Sequence, residues 1–421
     1  MVIGYSSGTG VDELTVEIQG RSDRAYVNVD DQEFELKVPF SRTEVESALD
    51  ATSPNHVSTQ GLPSLGSTLF STLFSGPLGR ELWRRMAEVE RLDRGLRLRI
   101  LSNSERTQHL PWELMFDPSR SDFMALSGRI ALVRTRPEGY LRGESPKPLA
   151  RLRILAAEAD PTGGTMNTGE DIETLRALAS TSGLVELKVL HGTTPEALEQ
   201  ALAENKFDVF HFAGSGEVLP YVSKRGGVRQ ALRLIGATSS EALVDRQDLG
   251  KMLQRAGVRF AVLNACRSDW IARSVARYVP AVIGLREDAQ VESCLLLCRS
   301  LYQSLLLQRM PLDLAVTAAR QAMNLGARPG IADWCKLIFY LQQNDGTFLA
   351  PAESARPTAT SLSVPPKNKE YAKLARLLDV HEANLDALTK GTGLGAASVS
   401  NEVVISLQEK IDEIKRQLGE A

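Results

Sequence analysis

The chain has 421 residues, enough for one large domain with an appendage or for two or three domains. Its composition, 43% hydrophobic and 24% charged, is ordinary for a soluble globular protein, and the net charge of −3 gives no support for a nucleic-acid or membrane surface as the main partner. No apolar run approaches the roughly 18 residues that a membrane span needs.

The N-terminus and the cysteines indicate the compartment. The first residues, 1–10, are rich in glycine and serine without an apolar run, so we expect no secretory leader. The four cysteines, Cys266, Cys294, Cys298 and Cys335, form no disulfide pattern. Cys294 and Cys298 are four apart, but the leucines between them favour burial over zinc binding. We therefore expect a cytoplasmic protein without a metal or cofactor.

Residues 1–150 are predicted to form a β-rich N-terminal subdomain. Ser41 and Glu44 have the spacing of a capping box that begins a short helix, and residues 67–92 have a helical period with a break at Gly76-Pro77. Apolar residues alternate, as in half-buried strands, at 14–18, 26–29, 34–38 and 96–100.

Residues 151–345 have a different rhythm, in which apolar strands alternate with amphipathic helices. The predicted strands are 152–157, 185–190, 208–213, 260–264 and 281–284. The predicted helices are 169–182, 194–204, 248–256, 270–278, 292–308 and 312–325. This alternation predicts a mostly parallel sheet with helices on both faces, whose reactive groups collect at the carboxyl ends of the strands. The polar segment 218–229 has the composition of a surface loop, either a movable lid or an inert connection.

The C-terminal part is predicted to be separate. Residues 346–368 are rich in Pro, Ser and Ala and form a linker. Residues 369–421 carry two heptad stripes, separated at Gly391, which predict a helical hairpin or a coiled coil. So small a module has a thin core of its own, so we expect it to recruit an activating protein.

Two strand ends carry the residues best suited to chemistry. The segment Val-Phe-His-Phe-Ala-Gly-Ser-Gly-Glu occupies 209–217, and Ala-Val-Leu-Asn-Ala-Cys-Arg-Ser-Asp occupies 261–269. Cys266 directly follows its strand and precedes a predicted helix start, a position that lowers the pKa of a thiol. Gly214 and Gly216 allow sharp backbone turns and expose N–H groups that suit an oxyanion.

The order of four motifs resembles the CHAT domain, a caspase-like (clan CD) cysteine peptidase family. The resemblance covers roughly residues 12–345. It rests on Leu-Pro-Trp-Glu-Leu-Met-Phe-Asp-Pro at 110–118, His-Phe-Ala-Gly-Ser-Gly at 211–216, Leu-Asn-Ala-Cys-Arg-Ser at 263–268 and Pro-Ala-Val-Ile-Gly at 280–284. It implies the caspase-hemoglobinase α/β fold and peptide cleavage by a Cys-His dyad. Members often serve bacterial defence systems, where another module releases the peptidase onto one protein, such as a gasdermin-like pore former.

Within this resemblance Cys266 matches the nucleophile, and the N–H of Gly216 is the expected oxyanion donor. The dyad histidine belongs at position 215, which holds a serine. A serine hydroxyl cannot act as a general base near neutral pH, because its own pKa is far too high. The chain is therefore predicted to be inactive as written. Two explanations stay open: a natural pseudo-peptidase that acts as a scaffold or adaptor, or an active enzyme disabled by substitution, which the otherwise intact site favours.

The remaining candidate residues surround this pair. His211, four residues before position 215, and Asn264 are interpreted as structural residues beneath the site. Asp269, Glu287 and Asp288 are predicted to bind the substrate. Asp269 would line a pocket for a basic side chain before the scissile bond, although it is equally typical of a helix N-terminal acid, and Glu287 and Asp288 would border the substrate groove. Three further residues were weighed for other roles: His109 at the cleft, and Trp112 and Glu113 for packing and a salt bridge.

A nucleotide-binding α/β protein was considered and ranked low. It would rest on Pro-Thr-Gly-Gly-Thr at 161–165, but the chain lacks the glycine-rich motifs that cradle phosphates. The expected partners are a protein substrate and an activating protein, with no nucleic acid and no membrane.

Overall fold

The computed structural model describes residues 12–21, 24–29, 32–50, 58–92, 94–139, 147–160, 168–221, 227–236, 241–328, 331–343 and 346–350, with Gln408, Asp412 and Arg416. Nearly all of them lie in one compact unit, Gly4–Ala352. The predicted helical hairpin and most of the predicted linker lie outside the described residues.

Strands and helices alternate along most of this unit. The strands are Asp12–Arg21 (β1), Arg24–Val29 (β2), Gln32–Leu36 (β3), Leu96–Ser102 (β4), Phe116–Asp117 (β5), Asp122–Phe123 (β6), Ile130–Thr135 (β7), Leu152–Glu158 (β8), Val185–Leu190 (β9), Val209–Tyr221 (β10), Gly227–Ile235 (β11), Glu241–Asp245 (β12), Phe260–Cys266 (β13), Ala281–Leu285 (β14) and Leu337–Leu341 (β15). The α-helices are Arg42–Leu49 (α1), Leu62–Phe74 (α2), Pro77–Arg91 (α3), Glu105–Gln108 (α4), Thr168–Ser182 (α5), Pro195–Glu204 (α6), Arg246–Arg255 (α7), Asp269–Val275 (α8), Val291–Tyr302 (α9) and Leu312–Leu325 (α10).

One large sheet organises the fold. Its order is β12-β11-β10-β13-β14-β15-β7-β4-β1-β2-β3, and β8 pairs with both β10 and β9. The strands from β9 through β8, β10 and β13 to β14 are parallel, and so are β15, β7, β4 and β1. The predicted mixed α/β class, with a mostly parallel sheet, is confirmed. The β-rich N-terminal strands extend this same sheet.

Each face of the sheet is covered by its own apolar core, because side chains alternate along every strand. Val209 and Val262 join the core that contains α5, α9 and α10. Phe210 and Ala261, the next residues on the same strands, join the core that contains α6, α7 and α8. Helices therefore pack on both faces, as the sequence predicted.

Local signals place several elements. The capping box is present: the Ser41 hydroxyl accepts from the Glu44 amide, and the Glu44 carboxylate accepts from the Ser41 amide. Gly76, with a φ of 83°, separates α2 from α3. The segment predicted as a loop at 218–229 is largely a β-hairpin, since β10 runs to Tyr221 and pairs antiparallel with β11 from Gly227. Polar composition concealed these strands.

A buried salt-bridge cluster, the Glu113 cluster, ties distant segments together. It consists of Glu113, Arg134 and Arg320, all nearly inaccessible to solvent. Arg134 donates two hydrogen bonds to the Glu113 carboxylate, at 2.8 and 2.5 Å, and Arg320 donates to the carbonyls of Leu132 and Leu337. Burial alone would raise the pKa of Glu113, but Arg134 and then Arg320 hold that pKa below its usual range. These contacts support the predicted structural role of Glu113 as a partner in a salt bridge.

Within the described ranges, no helix combines the length and the apolarity needed to cross a bilayer.

Candidate active site

The two segments singled out in the sequence lie side by side, but only Cys266 ends its strand. The expected strand end and turns at Gly214 and Gly216 are wrong, because β10 continues through both glycines to Tyr221. Strands β10 and β13 are parallel neighbours, and their register pairs Ser215 directly with Cys266. Neighbouring strands lie about 4.8 Å apart, and paired residues on parallel strands point to the same face. The side chains at positions 215 and 266 are therefore adjacent on the face covered by α5 and α9.

Both glycines around Ser215 are required by close backbone approach. A Cβ atom on Gly216 would lie 2.9 Å from the Cys266 carbonyl oxygen and 3.0 Å from that of Arg267. A Cβ atom on Gly214 would lie 2.7 Å from the Phe212 ring and 2.8 Å from the Ala159 carbonyl oxygen. A side chain at position 216 would push β10 away from the end of β13, and one at position 214 would displace the Phe212 ring and the segment after β8. The Gly-Ser-Gly sequence therefore keeps position 215 close to Cys266.

Ser215 itself is buried but unsatisfied. Its residue is 5% exposed, and its hydroxyl has no hydrogen-bond partner within the described part of the chain. A buried hydroxyl usually finds a partner, because leaving it unpaired costs free energy. Nothing in the contacts of Ser215 explains why a serine stands here.

The thiol of Cys266 is half-buried at the end of β13. Its sulfur lies 3.9 Å from the carbonyl oxygen of Ala289. Burial raises the pKa of this thiol above its usual range, and the nearby Asp288 carboxylate acts in the same direction. The expectation of a lowered pKa was wrong: α8 begins only at Asp269 and has seven residues, and its N-terminus does not outweigh burial.

The backbone just beyond the strand ends is strained. Arg267 and Glu287 have φ angles of 56° and 54°, the left-handed region that non-glycine residues seldom adopt. The Arg267 amide donates to the Glu287 carbonyl at 3.2 Å, which joins the end of β13 to the end of β14. Such outliers cluster at functional sites, where surrounding structure holds them.

A pocket of about 430 Å³ opens next to these two residues. It contains two of the predicted substrate-binding acids, Asp269 and Glu287. Asp288 instead lies exposed and pairs with Arg267 at 2.9 Å. The Cys266 side chain does not line the pocket, which begins at the following residue. The lining residues are Arg42, Glu46, Ser47, Asp50, Gln108, His109, Arg267, Asp269, Trp270, Arg273, Arg286, Glu287, Ile338 and Tyr340.

The pocket acids hold protons more tightly than free carboxyl groups. Burial raises the pKa of Asp269 despite the opposing charge of Arg286. Burial, and then the charge of Asp269, raises the pKa of Glu287 to about 6. Two acids that share a small space cannot both ionise easily, so a cation entering between them would favour their charged forms.

The wall opposite the acids was not visible in the sequence. The guanidinium groups of Arg42 and Arg273 lie over the Trp270 ring, at 4.4 and 4.8 Å from its centre. Such contacts fix the orientation of all three side chains. Arg42 belongs to α1, far from Cys266 in sequence, and no local pattern links it to this pocket, whereas His109, which follows α4, was expected near the cleft.

A second buried cluster, the Asp171 cluster, lies beneath the strand ends and consists of Asp171, His211, Asn264, Cys298 and Tyr302. Asn264 Nδ2 donates to Asp171 Oδ2, and His211 Nδ1 lies 3.1 Å from the Tyr302 hydroxyl. His211 and Asn264 were predicted to be structural residues. Asp171 and Tyr302 were not predicted, because they lie on helices that no local pattern connects to β10.

Within the described residues, the two other histidines have partners of their own. His109 Nε2 lies 3.1 Å from the Phe40 carbonyl oxygen, and burial lowers its pKa. His191 Nδ1 lies 2.6 Å from Glu158, at the ends of β9 and β8. Since β8 and β10 separate β9 from β13, His191 is too distant to accept the Cys266 proton.

The chain is similar to a known protein family and to solved structures. The family model described as the CHAT domain matches residues 64–357, well over half of the chain. Among solved structures, the crystal structure of the Saccharomyces cerevisiae separase–securin complex matches with 11% identity and a TM-score of 0.36. That match covers 58% of this chain and 15% of the other. No curated protein matches the chain.

Proposed function

The chain belongs to the CHAT domain family of caspase-like proteases, and we propose that it has the architecture of a cysteine endopeptidase, with Cys266 as nucleophile and position 215 as the site of the missing base. The observation that carries this proposal is the direct pairing of Ser215 with Cys266 on neighbouring parallel strands. A histidine at position 215 would place an imidazole next to the thiol.

The chemistry would follow from that adjacency. The imidazole would take the Cys266 proton, and the thiolate would attack the scissile carbonyl carbon. The backbone N–H of Gly216 would help to hold the resulting oxyanion. The imidazolium would then protonate the leaving amine, and water would hydrolyse the acyl-enzyme. With serine at position 215 the first proton transfer fails, while the substrate groove remains.

The pocket next to Arg267 supports selection of a basic side chain. Asp269 and Glu287 lie together in it, and burial keeps both reluctant to ionise in the free protein. An arginine or lysine side chain would pair with them and restore their charge, which makes the interaction selective.

The biological role that we propose is a regulated effector in bacterial defence. Residues 369–421, outside the described residues, would recruit an activating protein, and the released peptidase would cleave one protein, such as a gasdermin-like pore former. This role rests on the family and on the heptad stripes of the sequence. Deletion of 367–421 should leave the α/β unit folded and abolish binding of the activating protein; unchanged binding would contradict the assignment.

The test of the peptidase proposal is restoration of the base. Ser215→His should produce cleavage of a fluorogenic peptide library that varies the residue before the scissile bond, with arginine and lysine preferred. Ser215→His combined with Cys266→Ala should abolish that cleavage. Ser215→His with Glu287→Gln should raise KM for basic peptides with a smaller effect on kcat.

Two results would change the conclusion. If the Ser215→His protein is folded and binds its activating protein, but shows no Cys266-dependent cleavage, the disabled-enzyme explanation is wrong. The chain would then be a natural pseudo-peptidase that binds through its groove. If cleavage appears but favours acidic or apolar residues, the peptidase proposal stands and the assignment of Asp269 and Glu287 is wrong.

A further inference from the structure

The Asp171 cluster contains three side chains of the kinds that bind transition metals. Asp171 lies on α5, His211 on β10 and Cys298 on α9, and each offers one ligand atom within 4.8 Å of the other two. Their residues are 4%, 0% and 0% exposed. Three remote segments thus present a carboxylate, an imidazole and a thiol to one closed space.

His211 and Asp171 face each other without a hydrogen bond between them. His211 Nδ1 is occupied by the Tyr302 hydroxyl, so Nε2 faces Asp171 Oδ2 at 3.7 Å. That distance is too long for a hydrogen bond. Nε2 has no hydrogen-bond partner within the described residues, whichever ring nitrogen carries the proton. A fully buried imidazole nitrogen without a partner indicates a missing ligand between these groups.

Further unpaired atoms surround the same space. Asp171 Oδ1 and Asn264 Oδ1 are both buried without a hydrogen bond in the described part of the structure. There, the one basic side chain within ion-pair distance of the Asp171 carboxylate is His211. Burying a carboxylate without a neighbouring cation costs free energy, so a cation bound next to Asp171 would stabilise the cluster.

We propose that Asp171, His211 Nε2 and Cys298 Sγ form a binding site for a zinc ion. All three groups are zinc ligands, and a tetrahedral ion with bonds of about 2.0–2.3 Å needs ligand atoms about 3.3–3.8 Å apart. His211 Nε2 and Asp171 Oδ2, at 3.7 Å, already have that spacing, and all the ligand atoms lie within 4.8 Å of one another. A divalent ion with one carboxylate and one thiolate is electrically neutral, which suits a closed apolar space. Asn264 Oδ1 or a water molecule would complete the coordination.

The surroundings match those of a metal-binding histidine. A ligating imidazole donates its other N–H to an oxygen, which fixes the ring, and the Tyr302 hydroxyl stands in that place at 3.1 Å.

The zinc ion would join α5 and α9 to the central strands next to the nucleophile. Asn264, bonded to Asp171, lies two residues before Cys266, and His211 lies four residues before Ser215. Because the ion has no open route to substrate in this arrangement, its role is structural: it fixes the strand ends and adds to the stability of the fold.

The experiment measures metal content and uses cobalt as a spectroscopic probe. Full-length protein without an affinity tag, produced in zinc-supplemented medium, should contain about one zinc per chain. Replacement of zinc by Co²⁺ should give a thiolate-to-cobalt charge-transfer band and the visible bands of a tetrahedral site. Chelation should lower Tm, and added zinc should restore it.

Variants separate the proposed site from adventitious binding. Cys298→Ser should remove the charge-transfer band, whereas Cys335→Ser, at another buried cysteine, should keep it. Tyr302→Phe should weaken zinc binding by about 10- to 100-fold while retaining stoichiometric loading at high zinc. Substoichiometric zinc and no cobalt band in the unmodified, folded protein would overturn the proposal, as would a band that Cys298→Ser leaves intact. The cluster would then be a structural group of buried polar side chains without a metal.

Discussion

Two buried polar clusters lie in this fold, and they are satisfied to different degrees. In the Glu113 cluster the carboxylate is paired with Arg134, and Arg320 is held by backbone carbonyls. In the Asp171 cluster and at the neighbouring Ser215, four buried polar atoms lack partners in the described part of the chain. Both clusters are equally buried, so solvent access does not explain the difference.

The difference between the Glu113 cluster and the Asp171 cluster indicates which part of the fold can bind a ligand. A saturated cluster contributes position and stability and has nothing left to offer a ligand. An unsaturated cluster at the carboxyl ends of parallel strands, next to a cysteine and two strained residues, is where binding and chemistry are expected. The following predictions test that division, from the largest effect to the smallest.

Breaking the Glu113 cluster should be severely destabilising. Glu113→Leu leaves Arg134 and Arg320 buried without their carboxylate, and the free energy of unfolding should fall by about 3–5 kcal/mol. Urea unfolding followed by circular dichroism measures the loss. Glu292→Gln, which breaks the exposed pair with Arg328, should cost less than about 1 kcal/mol. Equal losses in the two variants would show that the Glu113 cluster has no special role.

Crowding the strand ends should have an intermediate effect. Gly216→Ala places a Cβ atom 2.9 Å from the Cys266 carbonyl oxygen, and the overpacking should cost about 1–3 kcal/mol. The matched control is Gly169→Ala on α5, where the new Cβ meets nothing within 4 Å and should stabilise the helix by up to about 1 kcal/mol. Thermal unfolding of the two variants should therefore shift in opposite directions. Unchanged Tm for Gly216→Ala would mean that the strand ends can separate freely.

The smallest effect concerns the pocket acid Glu287. Its pKa in the folded protein is about 6, against 4.5 for the ordinary side chain, so the folded state favours the protonated form. Its contribution to stability is present below pH 4.5 and is lost as the pH rises through about 6. Glu287→Gln should therefore gain stability relative to the unmodified protein between pH 5 and 7.5, by less than about 1 kcal/mol because the side chain is partly exposed.

The measurement is Tm against pH for the two proteins, with Glu292→Gln as the baseline for removing an exposed carboxylate. Parallel curves for Glu287→Gln and the unmodified protein would contradict the raised pKa. If the gain in Tm for Glu287→Gln instead appears at lower pH, the pKa of Glu287 is below about 6 and its carboxylate is more exposed to solvent than the pocket implies.

Much of the fold followed from residue patterns, because apolar periodicity and strand order are local. The central strands and the helices around them were predicted with their order, and so was the position of Cys266 at a strand end. The hairpin after residue 216 was missed, because the Lys, Arg and Gly residues at 224–227 gave the segment 218–229 the composition of a loop. The pKa of Cys266 was misjudged, because burial by distant segments is invisible in a local sequence.

The site was only partly predictable for the same reason. His211, Asn264 and Cys298 were each interpreted alone, as structural or apolar residues. Their common space forms only when α5 and α9 pack on β10 and β13, and no spacing in the sequence encodes that contact. Likewise, Arg42 reaches the pocket from the N-terminal half of the chain.

The most direct test of the account is the reactivity of Cys266 with and without a histidine beside it. In the unmodified protein, alkylation of Cys266 by iodoacetamide, followed by mass spectrometry of its tryptic peptide, should be slow at pH 6 because burial raises the thiol pKa. In Ser215→His, alkylation at pH 6 should be about tenfold faster or more, since an imidazolium stabilises the thiolate. An unchanged pH profile in a folded Ser215→His protein would contradict the claim that positions 215 and 266 form a catalytic pair.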